Sequence, residues 1–221
     1  MESKIPANVR DRIEKCGVVA VLVIDDAKHA VPLAKALLAG GVDVMELTLR
    51  TPAAIGALKE VVQHVPEMLA GIGTILTTEQ VDEVVAAGAA FGVAPGLNPR
   101  VVKYAEEKGL PFAPGILTPS DVELALELGC REMKFFPAEP SGGLKYLSSI
   151  KAPYAHLGVK FIPLGGLNIE NMGSYIADSS VAAIGGSWLA PAKLINAEDW
   201  EAITANAAAA RKVIDEVRAA K

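Results

Sequence analysis

Short apolar runs alternate with longer amphipathic segments from one end of the chain to the other. The runs are GVVAVLVI (17–24), VDVMELTL (42–49), LAGIGTI (69–75), AAFGVAPG (89–96), PFAPGI (111–116), EMKFFPA (132–138), VKFIPLGG (159–166) and VAAIGGSWL (181–189). Each predicts a strand. Between them lie helical patterns such as AVPLAKALLAGG, TEQVDEVVAAGA, PRVVKYAEEKG and SDVELALELGC. Gly40, Gly88 and Gly129 stand at the ends of such patterns, the usual stop before a following strand. A long, alanine-rich helix is predicted from about Asp199 to Ala219. The segment before residue 16 reads as an extra amphipathic helix, placed to cap one end of the fold.

The pattern gives eight strands, each followed by a helix, with no linker or low-complexity stretch between them. Alternating β and α elements imply parallel pairing through crossover helices. Eight such units in this length predict a compact (β/α)8 TIM barrel with an extra N-terminal helix, residues 1–221 forming a single domain. The competing architecture is a doubly wound open sheet. It is disfavoured because no strand carries a GxGxxG turn: GIGTIL (71–76) has Leu76 where the third glycine would stand.

Composition narrows the function classes. Of 221 residues, 51% are apolar and only 5% aromatic, so the core is aliphatic. A net charge of −5 argues against a nucleic-acid partner, though an acidic chain can still hold a local cationic pocket for an anionic substrate. Cys16 and Cys130 form no CxxC pair, and His29, His64 and His156 have no zinc-ligand spacing, so neither metal nor cofactor is expected. No apolar run is long enough to span a membrane, and MESKIPANVRDRIEKC has no apolar core of a secretory signal. The expectation is a cytoplasmic protein with no membrane partner.

Catalytic groups of a barrel come from the carboxyl ends of its strands. In strand 42–49, Met45, Leu47 and Leu49 share one face and would pack on the outer helices. Val42, Val44, Glu46, Thr48 and then Arg50 share the other, which brings Glu46 and Arg50 to the barrel mouth; the competing reading is a structural Glu–Arg pair. Lys134 stands among Met133, Phe135 and Phe136, where an ammonium without a partner is costly. A snorkelling amine is the bland alternative, but a closed lumen offers no sideways route to water. Burial and neighbouring Arg50 would both favour the neutral amine, a nucleophile towards ketones. Gly165-Gly166 and Gly185-Gly186-Ser187 end the last two strands, where backbone N–H groups often cradle phosphate; tight turns are the alternative reading. A lysine nucleophile, a proton-transfer carboxylate, an arginine and a phosphate cradle suit a Schiff-base aldolase acting on a phosphorylated 2-keto acid.

The chain also resembles the 2-keto-3-deoxy-6-phosphogluconate (KDPG) aldolases, also described as 4-hydroxy-2-oxoglutarate aldolases, from about Gly17 to Trp188. The resemblance rests on VMELTLRT (44–51), GIGTIL (71–76), VAPGLNP (93–99), PGILTPSD (114–121), MKFFPAE (133–139), GGLN (165–168) and IGGSWL (184–189). It implies that Lys134 is the Schiff-base lysine and Glu46 the general acid/base. It places Arg50 and Thr74 on the pyruvate carboxylate and Pro95 and Phe136 in the active-site wall. Gly165, Gly166, Gly186 and Ser187 fall in the phosphate site, and a homotrimer is implied as well. Two positions depart from the family pattern: Leu164 stands where threonine usually precedes the Gly-Gly pair, and Leu117 replaces a small polar residue. The rival expectations are an aldolase for the phosphogalactonate epimer or an unphosphorylated 2-keto acid, a metal-dependent aldolase, and a non-catalytic phosphometabolite-binding barrel.

Overall fold

A computed structural model describes residues 3–220; the first two residues and the last, which belong to the expected 1–221 domain, lie outside the described residues. Helix α1 (Ala7–Cys16) leads into β1 (Val18–Leu22), α2 (Ala30–Ala39), β2 (Val44–Thr48), α3 (Ala54–His64), β3 (Leu69–Gly73) and α4 (Thr78–Ala86). Then follow β4 (Gly92–Val93), α5 (Pro99–Glu107), β5 (Phe112–Ala113), β6 (Gly115–Ile116) and α6 (Pro119–Glu127). The last part holds β7 (Glu132–Phe135), α7 (Gly143–Lys151), β8 (Lys160–Pro163), α8 (Met172–Ala177), β9 (Ile184–Gly186), α9 (Ala192–Asn196) and α10 (Trp200–Ala219).

Every strand pairing is parallel, in two arcs ordered β5-β4-β3-β2-β1-β9 and β6-β7-β8. Two joints turn the arcs into a ring. Phe161 of β8 bridges Val181 just before β9. The predicted fifth strand splits at Pro114, its first half pairing with β4 and its second with β7. Proline has no N–H to donate, which explains the interruption. The Pro114 carbonyl still accepts from the Lys134 amide at 2.9 Å, so the wall stays continuous. A closed barrel thus replaces the open-sheet alternative. Prolines 95 and 111 similarly trim the predicted runs 89–96 and 111–116 to strands of two residues.

Helices form where capping signals sit beside amphipathic runs. Thr77 and Thr118 each accept from a backbone N–H three residues on, and Gln80 and Asp121 reach back to complete the capping boxes. The expected stops at Gly88 and Gly129 are left-handed. After α2 the left-handed residue is Gly41 rather than Gly40, whose backbone instead lies against α10, too close for a Cβ beside Ala207.

The extra N-terminal helix crosses the amino end of the barrel. It buries Val9, Ile13 and Cys16, spaced three to four residues apart. Arg12 fastens it to the base of β2, donating to the Asp43 carboxylate at 2.8 Å and to the Asp43 carbonyl at 3.3 Å. Its final carbonyls, on Glu14, Lys15 and Cys16, accept from Arg211 and Arg218 of α10, a favourable place for cations. Cys16 and Cys130 are buried free thiols, with burial pushing the Cys130 thiol up to about 11.

Candidate active site

Strand β2 is buried along its whole length, because one face meets the helices and the other meets the lumen. Alternation sends Glu46 inward, and its neighbour β3 makes room for it. A Cβ at Gly73 would sit 1.8 Å from Glu46 Oε1, and one at Gly71 would strike the Phe91 ring. The two glycines of GIGTIL therefore do not form a nucleotide turn. They hollow the lumen so that a carboxylate and a phenyl ring fit.

Across the lumen, β7 sends Lys134 to the same point. Lys134 Nζ donates to Glu46 Oε1 at 3.1 Å and approaches Oε2 at 3.5 Å. The two side chains are only 8% and 3% exposed. The amine also lies 5.7 Å from the centre of the Phe136 ring. At 3.1 Å the attraction is of the order of 5 kcal/mol at an effective dielectric near 20. Desolvation costs several kcal/mol for each ion, so the pair adds little net stability. The partner of Lys134 is thus the Glu46 carboxylate, where the sequence had suggested the influence of Arg50. Arg50 is exposed at the rim.

The pair forms the base of a cavity of about 510 Å³ at the carboxyl ends of the strands. Of the sequence-predicted residues, Glu46, Arg50, Thr74, Pro95, Lys134, Phe136, Gly165, Gly166 and Ser187 all line it. Gly186 does not: its Cβ direction faces the Trp188 ring, and Gly185 lines the cavity instead. Val21, Thr48 and Leu167 complete the lining without having been singled out. Thr48 shares the inward face of β2 and donates to the Leu22 carbonyl at 3.0 Å, which ties it to the strand wall. Leu117 lies outside the lining, where its amide donates to Asp121 in the α6 capping box.

Two backbone features shape the mouth. Thr74 has a φ of 64°, a left-handed conformation that a β-branched residue adopts at a cost of about 1–3 kcal/mol. Strain held at a cavity wall turns the chain sharply off β3 and sets the Thr74 side chain at the rim. On the opposite side Gly165 and Gly166 have φ values of 98° and 80°, and among the described residues their amides find no acceptor. The Asn171 side chain holds the Gly166 carbonyl at 3.2 Å, and the Asn168 side chain accepts from the amides of Glu170 and Asn171. Paired, unsatisfied N–H groups on a pinned turn form a cradle for an anion. Leu164, beside them, is buried, and its side chain fills the space where a Cβ at Gly185 would lie.

Among the described residues no group of three or more His, Cys, Asp or Glu is placed to hold a metal ion. The arrangement offers a lysine amine hydrogen-bonded to a carboxylate, an arginine at the rim and an anion cradle across the opening. It can form an imine and move protons beside it.

Comparison with known proteins agrees with this chemistry. The family model for KDPG and KHG aldolase matches residues 9–206. The 2-dehydro-3-deoxy-phosphogluconate aldolase of Dickeya dadantii is 47% identical over 188 residues, covering 85% of this chain and 87% of that protein. A crystal structure of KDPG aldolase from Legionella pneumophila, with pyruvate captured at low pH as a covalent carbinolamine intermediate, superposes with a TM-score of 0.87. It is 38% identical and covers 91% of this chain and 97% of its own. The Zymomonas mobilis enzyme with 3-phosphoglycerate gives a TM-score of 0.85 at 38% identity, covering 92% of this chain and 94% of its own.

Proposed function

The chain belongs to the KDPG and KHG aldolase family, and from that premise we propose how its own residues carry a Schiff-base aldol cleavage. It is a class I aldolase that cleaves 2-keto-3-deoxy-6-phosphogluconate to pyruvate and glyceraldehyde 3-phosphate. The unphosphorylated 4-hydroxy-2-oxoglutarate is a second substrate of the same reaction type. The observation that carries the assignment of roles is the 3.1 Å contact between Lys134 Nζ and Glu46 at the base of the cavity.

Lys134, ion-paired with Glu46, passes one proton to it along the existing hydrogen bond, and the freed amine attacks the C2 carbonyl. A second proton moves from nitrogen to the new alkoxide to give the carbinolamine, Glu46 delivers its proton to the carbinolamine hydroxyl, and water leaves as the iminium forms. Glu46 then takes the C4 hydroxyl proton. The C3–C4 bond breaks, its electrons pass to the iminium, and the aldehyde departs. The resulting enamine is protonated at C3, and water hydrolyses the iminium to release pyruvate and the free lysine. The iminium is the electron sink, and positioned proton transfer of this kind contributes about 10²–10⁴-fold.

Arg50 and Thr74 at one rim receive the pyruvate carboxylate, with Pro95 and Phe136 as the wall. The amides of Gly165 and Gly166, the Ser187 hydroxyl and Gly185 of β9 receive the phosphate on the opposite side. Buried Leu164 offers no hydroxyl to the substrate, which tilts this wall towards an apolar contact and makes comparison with the C4 epimer informative.

The same reading includes one barrel per chain, a homotrimer and a cytoplasmic setting. No helix among the described residues is long and apolar enough to cross a membrane, which is compatible with that setting.

Pyruvate with borohydride tests the assignment. The intact protein is expected to gain one reduced pyruvyl unit on Lys134, seen by peptide mass, while Lys134→Ala gains none and turns over no substrate. Unlabelled parent protein, or label on another lysine, overturns the assigned nucleophile.

A further inference from the structure

A second, smaller chamber lies directly behind the Lys134–Glu46 pair, towards the amino end of the barrel. Its volume is about 20 Å³, room for about one water. Its walls include Val19, Phe91, Val93 and Ile162, and its far side is closed by Ile5 and Ile13. Ile5 precedes α1 and Ile13 lies on it, and both are 5% exposed. Among the described residues, Lys134 and Glu46 are the polar side chains that line the chamber. Lys134, Glu46 and Leu164 also line the substrate cavity, so they form the partition between the two cavities.

We propose that the N-terminal segment acts in the reaction through Ile5 and Ile13, as positioning residues that keep the rear of the Lys134–Glu46 pair dry. The reason is geometric. A proton held between an amine and a carboxylate can pass to substrate, or leak to any water that reaches the pair from behind. An apolar chamber of this size leaves only the substrate side open. Water admitted from below would compete for the hydrogen bond between Lys134 and Glu46 and offer its proton a second route. The fastening of α1 fits this role: Arg12 anchors it to the base of β2, three residues from Glu46, and Arg211 and Arg218 hold its other end.

The charged groups around Lys134 are few. Glu46 faces it from β2, with Arg50 above at the rim. Glu132 lies two residues below on the same face of β7, bonded to the Ser3 hydroxyl at 2.6 Å. Helix α1 contributes no titratable side chain to the chamber.

The inference rests on the catalytic roles assigned to Lys134 and Glu46, and the two can fail separately. Ile13→Ala opens the floor, Ile13→Val restores most of its volume, and Val9→Ala removes a comparable buried side chain from the same helix without touching the chamber. For Ile13→Ala we expect kcat to fall roughly tenfold, a fraction of the ~10²–10⁴ available from positioned proton transfer. KM should change little, and the acid limb of the kcat/KM profile should be displaced from that of the parent. Ile13→Val should recover most of both effects. Val9→Ala should lower Tm but keep the parent kcat and limb. Ile5→Ala, outside the helix, should reproduce the limb displacement and serves where Ile13→Ala does not fold.

An unmoved limb in both Ile13→Ala and Ile5→Ala overturns the proposal, as does an equal displacement in Val9→Ala. A parent protein that pyruvate and borohydride leave unlabelled overturns the Lys134 assignment, and this inference with it.

Discussion

The two ends of the barrel are built from opposite materials. At the carboxyl end the chain exposes Arg50, forces Thr74 into a left-handed conformation and leaves the amides of Gly165 and Gly166 without acceptors among the described residues. At the amino end it inserts the apolar face of an amphipathic helix, pairs Arg12 with Asp43 and caps the last carbonyls of α1 with arginines. One end presents open backbone donors to the cavity; the other ties down the carbonyl end of α1, although the Arg131 guanidinium at the foot of β7 keeps two buried nitrogens without a partner among the described residues. The reactive pair sits on the boundary, so it receives substrate from a polar mouth while its rear faces hydrocarbon. Strain and unpaired donors are useful only where a ligand will meet them.

The sharpest way to break this contrast is at the pair. Glu46→Gln keeps the shape of the side chain and its contact with Gly73 but removes the proton carrier. A loss of about 10²–10⁴ in kcat is expected. Near-parent turnover in steady-state assays would show that protons reach the substrate by another route.

A smaller effect is expected one strand away. Gly73→Ala would put a methyl group where Glu46 Oε1 now lies. The carboxylate must swing away from Lys134, so kcat should drop towards that of Glu46→Gln while the Arg50 and Gly165–Gly166 ends of the site stay in place. A KM change exceeding the kcat change would count against Gly73 acting through Glu46.

The smallest effect is expected on the floor. Burial pushes the Glu132 carboxyl upward, against the Ser3 hydroxyl and Arg10, which pull it down. A carboxyl raised in the folded state favours folding while it is protonated. That contribution is complete below the unfolded value and is lost as pH rises through the folded one. At neutral pH ionised Glu132 therefore weighs against the fold. Glu132→Gln should raise Tm modestly at pH 7, with the gain fading as pH falls through the carboxylate range and with kcat unchanged. A Tm gain of constant size at every pH would rule out the charge as its cause.

Much of the barrel was legible because two periodicities alternate without interruption. Glu46 could be placed in the lumen from the alternation of β2 alone. Lys134 stood out because a charge among Met133, Phe135 and Phe136 contradicts its surroundings. Other features depend on information that one strand does not carry. That Glu46 rather than Arg50 partners Lys134 follows from the position of β2 across the ring from β7. That Gly71 and Gly73 clear space, and do not bind phosphate, depends on which side chains face them. The conformation of Thr74 leaves no mark on its residue type. The choice between Gly185 and Gly186 as cavity lining turns on a single step of strand phase, fixed here by Leu164 and Trp188. Ile5, Val9 and Ile13 read as an ordinary amphipathic stripe, and only the tertiary structure separates the residues that face the chamber from the one that does not.

The contacts from Arg211 and Arg218 to the end of α1 join elements separated by nearly the whole chain. Every strand of the ring precedes α10 in the chain, so the carbonyl end of α1 gains its arginine partners only after all of those strands have been made. The order of synthesis therefore puts the fastening of this floor after the walls it closes.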